Sequence, residues 1–360
     1  MPLKFAPRRL LVLLASALIS LSAGSALTLH PAADEGPTPV GTPAIARTAA
    51  GPAAPPTAGP TIDPAVYFTP TLNPTPTAVG QGTREKFSGE VAFGYVSGQV
   101  DYGFRPTGST ASYRLGDYIL ETLRAYGWNA TEQGVTIQIN DTLIKGRNLI
   151  GSIGSGPVII LAAHYDTRLW ADQDPDPARH KDPVMGANDA GSGVAVLLEL
   201  ARVLGKGYTF NHEIRLVFLD AEDNGDIPGW NIFSIGTYQY VKALDVKPAY
   251  AIILDMIGDA NQNIYFEGQS MRSAPELMTG IWKVAASLGY ADSFIASPKY
   301  TMIDDHVPFI EAGIKAIDII DFDYPPWHTV SDTLDKVSAR SLERVGRTLQ
   351  AYLESTGVIQ

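Results

Sequence analysis

VIILAAHYD, residues 158–166, is the stretch whose reading decides the fold. Six apolar residues, Val158 to Ala163, follow Pro157 and end on His164, Tyr165 and Asp166. A short apolar run between turn signals predicts a central strand buried on both faces. In open α/β sheets, ligands bind outside the carboxyl ends of the strands. An imidazole and a carboxylate two residues apart at that edge therefore stand where chemistry is done. Alone, H-x-D reads as a polar strand end facing solvent; three later stretches change that reading.

Ile214 to Leu219 is a second apolar strand, ending in Asp220-Ala-Glu222-Asp223. Ala249 to Leu254 is a third, ending in Asp255 and followed by Asp259. Ile314 to Ile320 is a fourth, leading to Asp321, Asp323 and then Trp327-His328-Thr329. Carboxylates and histidines delivered repeatedly to one sheet edge are hard to explain as solvated termini. Buried carboxylates need partners, and a cation is the natural one.

Helical spacing appears over Ser112–Tyr126, Val194–Leu204, Pro275–Leu288 and Ser341–Glu354. Val135–Leu143 alternates and predicts a strand, and Asn148–Ile153 predicts another. Strands alternating with helices imply one α/β domain over residues 85–360, with a twisted, mainly parallel (mixed) central sheet and helices on both faces. Between Asp166 and Gly186 runs a polar, proline-broken loop with Trp170 and His180, long enough to be functional. Gly186-Ala-Asn-Asp189-Ala-Gly-Ser-Gly193 then opens a helix. An aspartate inside such a turn repels phosphate, and no P-loop lysine follows, so metal coordination fits better.

The chain has 360 residues, a net charge of −11 and no cysteine. The acidic balance argues against nucleic acid as a partner. Without cysteine there are no disulfides, thiolate zinc sites or cysteine nucleophiles. No G-x-S-x-G elbow follows a strand, which argues against a serine hydrolase. Lys4, Arg8 and Arg9 precede apolar Leu10 to Leu21 and then small residues. Residues 1–27 therefore predict a secretory signal, or a signal-anchor that would tether the protein to the membrane through this segment only. In either case the bulk of the protein is expected outside the cytoplasm. Residues 28–84 predict a disordered spacer, rich in Pro, Thr and Ala; twelve of the 26 prolines lie between His30 and Gln81.

Two histidines with several carboxylates suit zinc, which takes His nitrogen and carboxylate oxygen and leaves a position open in catalytic sites. A neighbouring glutamate can move protons at neutral pH. Glu222 beside Asp223 allows one to ligate while the other handles the proton.

HYD (164–166), GANDAGSG (186–193), FLDAED (218–223), LDMIG (254–258), DDHVPF (304–309) and WHT (327–329) resemble, in order, the zinc aminopeptidases of metallopeptidase family 28 and the related glutaminyl cyclases. The likeness covers residues 103–360 and implies a zinc-exopeptidase-like fold. For a two-zinc aminopeptidase it implies His164, Asp189, Asp223, Asp255 and His328 as ligands, with Asp189 bridging and Glu222 as general base. For a one-zinc cyclase it implies Asp189, Asp223 and His328 as ligands. Glu222 is then the proton shuttle, with Asp255 and Asp304 in a network beside it. Peptide or protein N-termini are the implied substrates. Glu222-Asp223 departs from the usual Glu-Glu of the superfamily and puts the second carboxylate one methylene closer to its backbone. Trp327 before His328, and Asp304-Asp305-His306, look like the cyclases. Trp230 and Trp327 are expected to wall a pocket for a glutaminyl side chain. The implied activity is zinc-dependent conversion of N-terminal Gln to pyroglutamate with release of ammonia; the alternative is aminopeptidase hydrolysis. An intact Glu222 and a full ligand set argue against a catalytically silent binding module. Asp166 is expected to orient His164, His306 to hold a nearby loop, and Asp259, Asp321 and Asp323 to lie at the rim.

Overall fold

The computed structural model describes residues 83–360; the expected signal at 1–27 and the expected spacer of 28–84, up to residue 82, lie outside the described residues. In chain order the elements are helices α1 (Gly89–Val100) and α2 (Thr110–Ala125), then strands β1 (Asn129–Ile139), β2 (Thr142–Ile153) and β3 (Val158–His164). Next come α3 (Gly191–Leu204), β4 (Glu213–Leu219), α4 (Ile235–Lys242) and β5 (Tyr250–Asp255). The C-terminal part holds β6 (Ile264–Phe266), α5 (Gly268–Ser273), α6 (Pro275–Ser287), β7 (Phe294–Pro298), α7 (His306–Glu311), β8 (Ala316–Ile320) and α8 (Ala339–Ser355).

Six strands form one mixed sheet in the order β1-β2-β4-β3-β5-β8. Strands β4, β3, β5 and β8 are parallel, while β1 and β2 add an antiparallel edge. β3 sits inside the sheet and is buried at every residue. Its alternate residues serve two cores. Ile159, Leu161 and Ala163 join a large cluster with residues of α1, α2, α3, α6 and α8. Val158, Ile160 and Ala162 join a smaller one with Tyr240 of α4 and Phe309 of α7. A strand covered by helices on both faces has no polar position to spare until it ends, which is why its sequence reads as an unbroken apolar run.

Parallel strands bring their carboxyl ends to one edge. His164 and Asp255 end β3 and β5, while Asp220 and Asp321 directly follow β4 and β8. Gly193, near the start of α3, lets that helix close on the same edge. A Cβ there would stand 2.3 Å from the Leu254 carbonyl oxygen and 2.8 Å from the Ala163 Cβ.

One local reading needs correction. The alternating stretch 135–143 is not one strand: the chain reverses at Asn140-Asp141, with Asn140 at φ 49°, and pairs β1 against β2 from Ile139↔Thr142 to Asn129↔Ser152. Asparagine tolerates the left-handed region, and alternation continues smoothly through so tight a turn. The start of the domain is helical: α1 is capped by Ser88, whose hydroxyl accepts the Val91 N–H at 3.4 Å. Its weak periodicity hid it. Among the described residues, no helix is long and apolar enough to cross a membrane.

Candidate metal centre

Strand ends carry His164 and Asp255, and loops carry the other candidate ligands; the two turns that hold Asp189 and Asp223 are tied down by buried polar groups. The turn before α3 holds Asp189. Arg105 donates to the carbonyls of Met185 (3.1 Å) and Gly186 (2.8 Å) at its start. Asp332 accepts the N–H groups of Asn188 (2.9 Å) and Asp189 (3.1 Å). The turn after β4 holds Glu222 and Asp223, and Asp166 accepts their N–H groups at 3.1 and 3.4 Å. Asp166 also stands 3.7 Å from the His164 Nδ1, on the side expected for a group that orients that ring, so one carboxylate serves both the 222–223 turn and the imidazole. Arg168 clamps Asp172 with two bonds of 2.7 and 2.8 Å and donates to the Asp223 carbonyl at 2.8 Å.

The side chains converge. His164 Nε2 stands 3.1 Å from Asp189 Oδ1 and 3.2 Å from Asp255 Oδ1. His328 Nε2 stands 2.9 Å from Asp223 Oδ1 and 3.7 Å from Asp189 Oδ2. Asp189 thus turns one oxygen to each imidazole. Two sets, His164–Asp189–Asp255 and Asp189–Asp223–His328, each gather ligand atoms within 4.8 Å of one another and share Asp189. His328 holds φ 55°, a left-handed backbone that non-glycine residues adopt rarely.

So many buried acids strain one another. Burial raises Asp223, with repulsion from Asp189 adding to it. Burial likewise drives Asp255 well above the carboxylate range, reinforced by Asp304. For Glu222 burial is again the main cause of a pKa well above the usual range, opposed by His164 and reinforced by Asp223, Asp304 and Asp305. Asp189 differs: burial works against its charge, but His164 and His328 hold it below the ordinary value. Burial also opposes the charged form of His164, yet Asp166, Asp189 and Asp255 raise it well above the ordinary imidazole value.

That balance is what a cation would relieve. Asp223 Oδ2 is buried without a hydrogen-bond partner among the described residues, and both imidazoles turn Nε2 to the carboxylates. The donor set is all nitrogen and oxygen. Ligands of a four-coordinate zinc at bond lengths of about 2.0–2.2 Å stand roughly 3.3 Å apart, close to the spacings seen here. The residues fit zinc.

A cavity of ≈ 320 Å³ adjoins these groups. Glu222, Asp223, Asp255, Asp304 and His328 give it its polar wall; Phe233, Met256, Ile320, Phe322 and Trp327 give it its apolar one. Trp327 stacks on His328 with ring centroids 3.8 Å apart. Trp230 is elsewhere. It packs with Val135, Ile137, Ala221 and Ile227 and lines a separate cavity of ≈ 740 Å³ with Leu169 and Trp170. The loop 226–234 is short and turns sharply, with Asp226, Asn231 and Ser234 at positive φ. It aims Phe233, not Trp230, at the reaction cavity.

Beyond Asp304 lies a further buried group. His306, at the start of α7, has Nε2 3.2 Å from Glu267 Oε2 and Nδ1 3.8 Å from Asp318 Oδ2. Burial opposes the Glu267 charge, but His306 and Ser270 bring its pKa down to about 2. Glu267 also accepts the N–H of Met302, a cavity residue, at 3.0 Å. Burial raises Asp305 to about 7, with Asp304 adding to it. Asp321 is buried and caps the N–H groups of Asn263 (2.7 Å) and Asp323 (3.1 Å), so it braces backbone and is no rim residue. Arg105, Arg168, Glu267, Asp318 and Asp332 carried no motif in the sequence; only the fold brings them to the site.

A model of Peptidase family M28 matches residues 148–353. The fold is similar to the crystal structure of Porphyromonas gingivalis glutaminyl cyclase, with a TM-score of 0.72 and 36% identity over 75% of this chain and 99% of that one. It is also similar to a Zn-dependent exopeptidase from Parabacteroides distasonis, with a TM-score of 0.70 and 33% identity over 74% of this chain and 98% of that one. In sequence the chain is 28% identical over 225 residues to aminopeptidase YwaD of Bacillus subtilis. That match takes in 57% of this chain and 43% of YwaD, so the chain spans less than half of that relative.

Proposed function

The chain belongs to peptidase family M28, and within it we propose a zinc-dependent glutaminyl-peptide cyclotransferase that converts N-terminal Gln to pyroglutamate. The observation that carries this reading is the small cavity in which Glu222 and Asp304 face Phe322 and Trp327 beside the Asp189–Asp223–His328 set. The fold's likeness to a bacterial glutaminyl cyclase supports it.

In this reaction the substrate's free α-amine attacks the carbon of its own side-chain amide. A C–N bond forms, the bond to the amide nitrogen breaks, and ammonia leaves. Asp189, Asp223 and His328 would hold the zinc, which would supply Lewis-acid polarisation of the amide carbonyl. Glu222 takes a proton from the attacking amine and returns it to the leaving nitrogen. A buried carboxyl pushed upward is suited to both halves of that exchange, since a catalytic pKa works best near the operating pH. The aromatic wall excludes water and presses the flexible glutaminyl chain into its cyclic shape, where proximity supplies much of the rate.

A second reading, aminopeptidase hydrolysis, is favoured by one feature: His164, Asp189 and Asp255 form a second ligand set sharing Asp189. With two metals, Glu222 would take the proton of an attacking water instead. One assay separates the readings. Purified protein given a Gln-peptide should release ammonia and a pyroglutamyl product; release of free Leu or Ala from peptides, with Gln never cyclised, would install the aminopeptidase in its place. Export belongs to the same proposal and rests on the pattern of residues 1–27; fractionation of cells making the full chain tests it.

A further inference from the structure

A second cavity, of ≈ 530 Å³, adjoins the reaction cavity and shares Asp226, Phe233, Ile303 and Asp304 with it. Its other walls include Ile232, Tyr238 and Pro308, with Glu311 beside them. Ile303 is 72% exposed and Ile232 52% exposed. Large apolar side chains left in solvent next to a reaction cavity mark a surface that something covers. Every charged side chain lining this groove is acidic: Asp226, Asp304 and Glu311.

The groove is also fixed in place. Ser234 donates its N–H to the Glu222 carbonyl at 3.0 Å, and Ile235 donates to that of Ala221 at 2.9 Å. The loop carrying Ile232 and Phe233 is therefore tied to the backbone of the proposed base. A wall set beforehand costs little ordering on binding.

We propose that this groove receives the side chain of the substrate's second residue, accepting apolar side chains and turning away acidic ones. The proposal rests on the reading that a peptide N-terminus is the substrate, which the cyclase and the aminopeptidase share. With the first residue in the reaction cavity, the chain must leave past the shared wall. One residue spans only about 3.3 Å in an extended chain, so the next side chain meets the adjoining groove. The isoleucines offer it apolar contact, and the three carboxylates repel a negative charge.

The test uses glutaminamide, Gln-Phe-amide and Gln-Glu-amide, with leucinamide, Leu-Phe-amide and Leu-Glu-amide in parallel. Rates are referred to the amide that lacks a second residue. Wild type should prefer Phe over Glu by about ten-fold or more in kcat/KM, the scale on which apolar pockets discriminate. Ile232→Asn, which removes apolar contact without adding charge, should lower that preference several-fold, and Glu311→Lys should raise the Glu substrate several-fold. Circular dichroism and melting curves check that both exposed-site variants fold. If Gln substrates cyclise with no preference at the second residue, or if neither variant changes it, the groove proposal fails and the cyclase reading stands. If only the Leu series reacts, the cyclase reading fails and the Leu-Phe to Leu-Glu ratio decides the groove in the same way. No reaction with either series overturns both.

Discussion

Asp332 holds Asp189 through its backbone: the Asp332 Oδ2 accepts the Asp189 N–H at 3.1 Å, while Oδ1 accepts the Asn188 N–H at 2.9 Å. The Tyr324 hydroxyl donates to the same Oδ1 at 2.7 Å. One carboxylate therefore sets the turn from which the shared ligand projects. Groups that orient ligands typically change metal affinity by about 10–100-fold when removed. Asp332→Ala should weaken zinc binding by that factor, measured by competition with a chromogenic chelator. Asp332→Asn, whose amide oxygen can still accept, should fall between. Equal affinities in all three proteins would show that the turn needs no such brace.

The contrast between Asp189 and Asp332 also shows what the sequence makes legible. Asp189 lies in a glycine-rich turn opening a helix, and His164, Asp223 and Asp255 end or follow apolar strands; such positions are visible because burial writes an apolar run up to the polar residue. Asp332 is 143 residues from Asp189 in the chain, in a loop with no periodicity, and only the fold pairs them. Arg105 and Arg168 are invisible for the same reason, since a buried arginine bonded to carbonyls leaves no trace in the residues around it. Trp230 misled because a tryptophan in a loop beside a ligand can face either side. The turn geometry around Asn231 and Ser234 decides which, and backbone angles of that kind are not written in composition.

Glu222→Gln should separate binding from turnover. The substitution keeps size and shape but removes the proton acceptor. Glu222 is in neither candidate ligand set, so zinc content by elemental analysis should stay within error of wild type. Turnover should fall by about 10²–10⁴-fold, the usual contribution of a general acid–base group. Loss of zinc in this variant would instead make Glu222 a ligand.

The acids of the site make the metal-free protein's stability depend on pH in a definite direction. Burial raises Asp305 and Asp332 to about 7, and raises Glu222, Asp255 and Asp318 well above the carboxylate range. Their unfolded values lie near 4. Between these limits the native state holds protons that the unfolded chain has released, so stability falls as pH rises. The contribution is fully present below about pH 4 and is lost through pH 7 and above. Asp189 and Glu267, both lowered, act the other way, but only at more acidic pH. A bound cation replaces the missing protons, and metal binding tightens as ligands deprotonate. The difference in Tm between zinc-loaded and chelated protein should therefore widen from pH 5 to pH 8. A constant difference across that range would mean that these carboxyls do not titrate with folding.

Trp327 and Trp230 should behave oppositely, because one faces the reaction cavity and the other a separate core. Trp327 lines the ≈ 320 Å³ cavity and stacks on His328. Trp327→Ala removes an apolar surface worth about 1.5–3 kcal/mol when fully covered, equivalent to about ten-fold or more in affinity. KM for a Gln-peptide should rise by that order. Zinc content should hold, since Trp327 belongs to neither candidate ligand set. Trp230 is 6% exposed among Val135, Ile137 and Ile227. Trp230→Ala opens a void in that cluster, at about 3–5 kcal/mol for a large aromatic. It should lower Tm by several degrees and leave KM for the same peptide near wild type at temperatures where the variant stays folded. A KM effect from Trp230 equal to that from Trp327 would return Trp230 to the substrate wall and overturn the assignment of that wall to Phe233, Phe322 and Trp327.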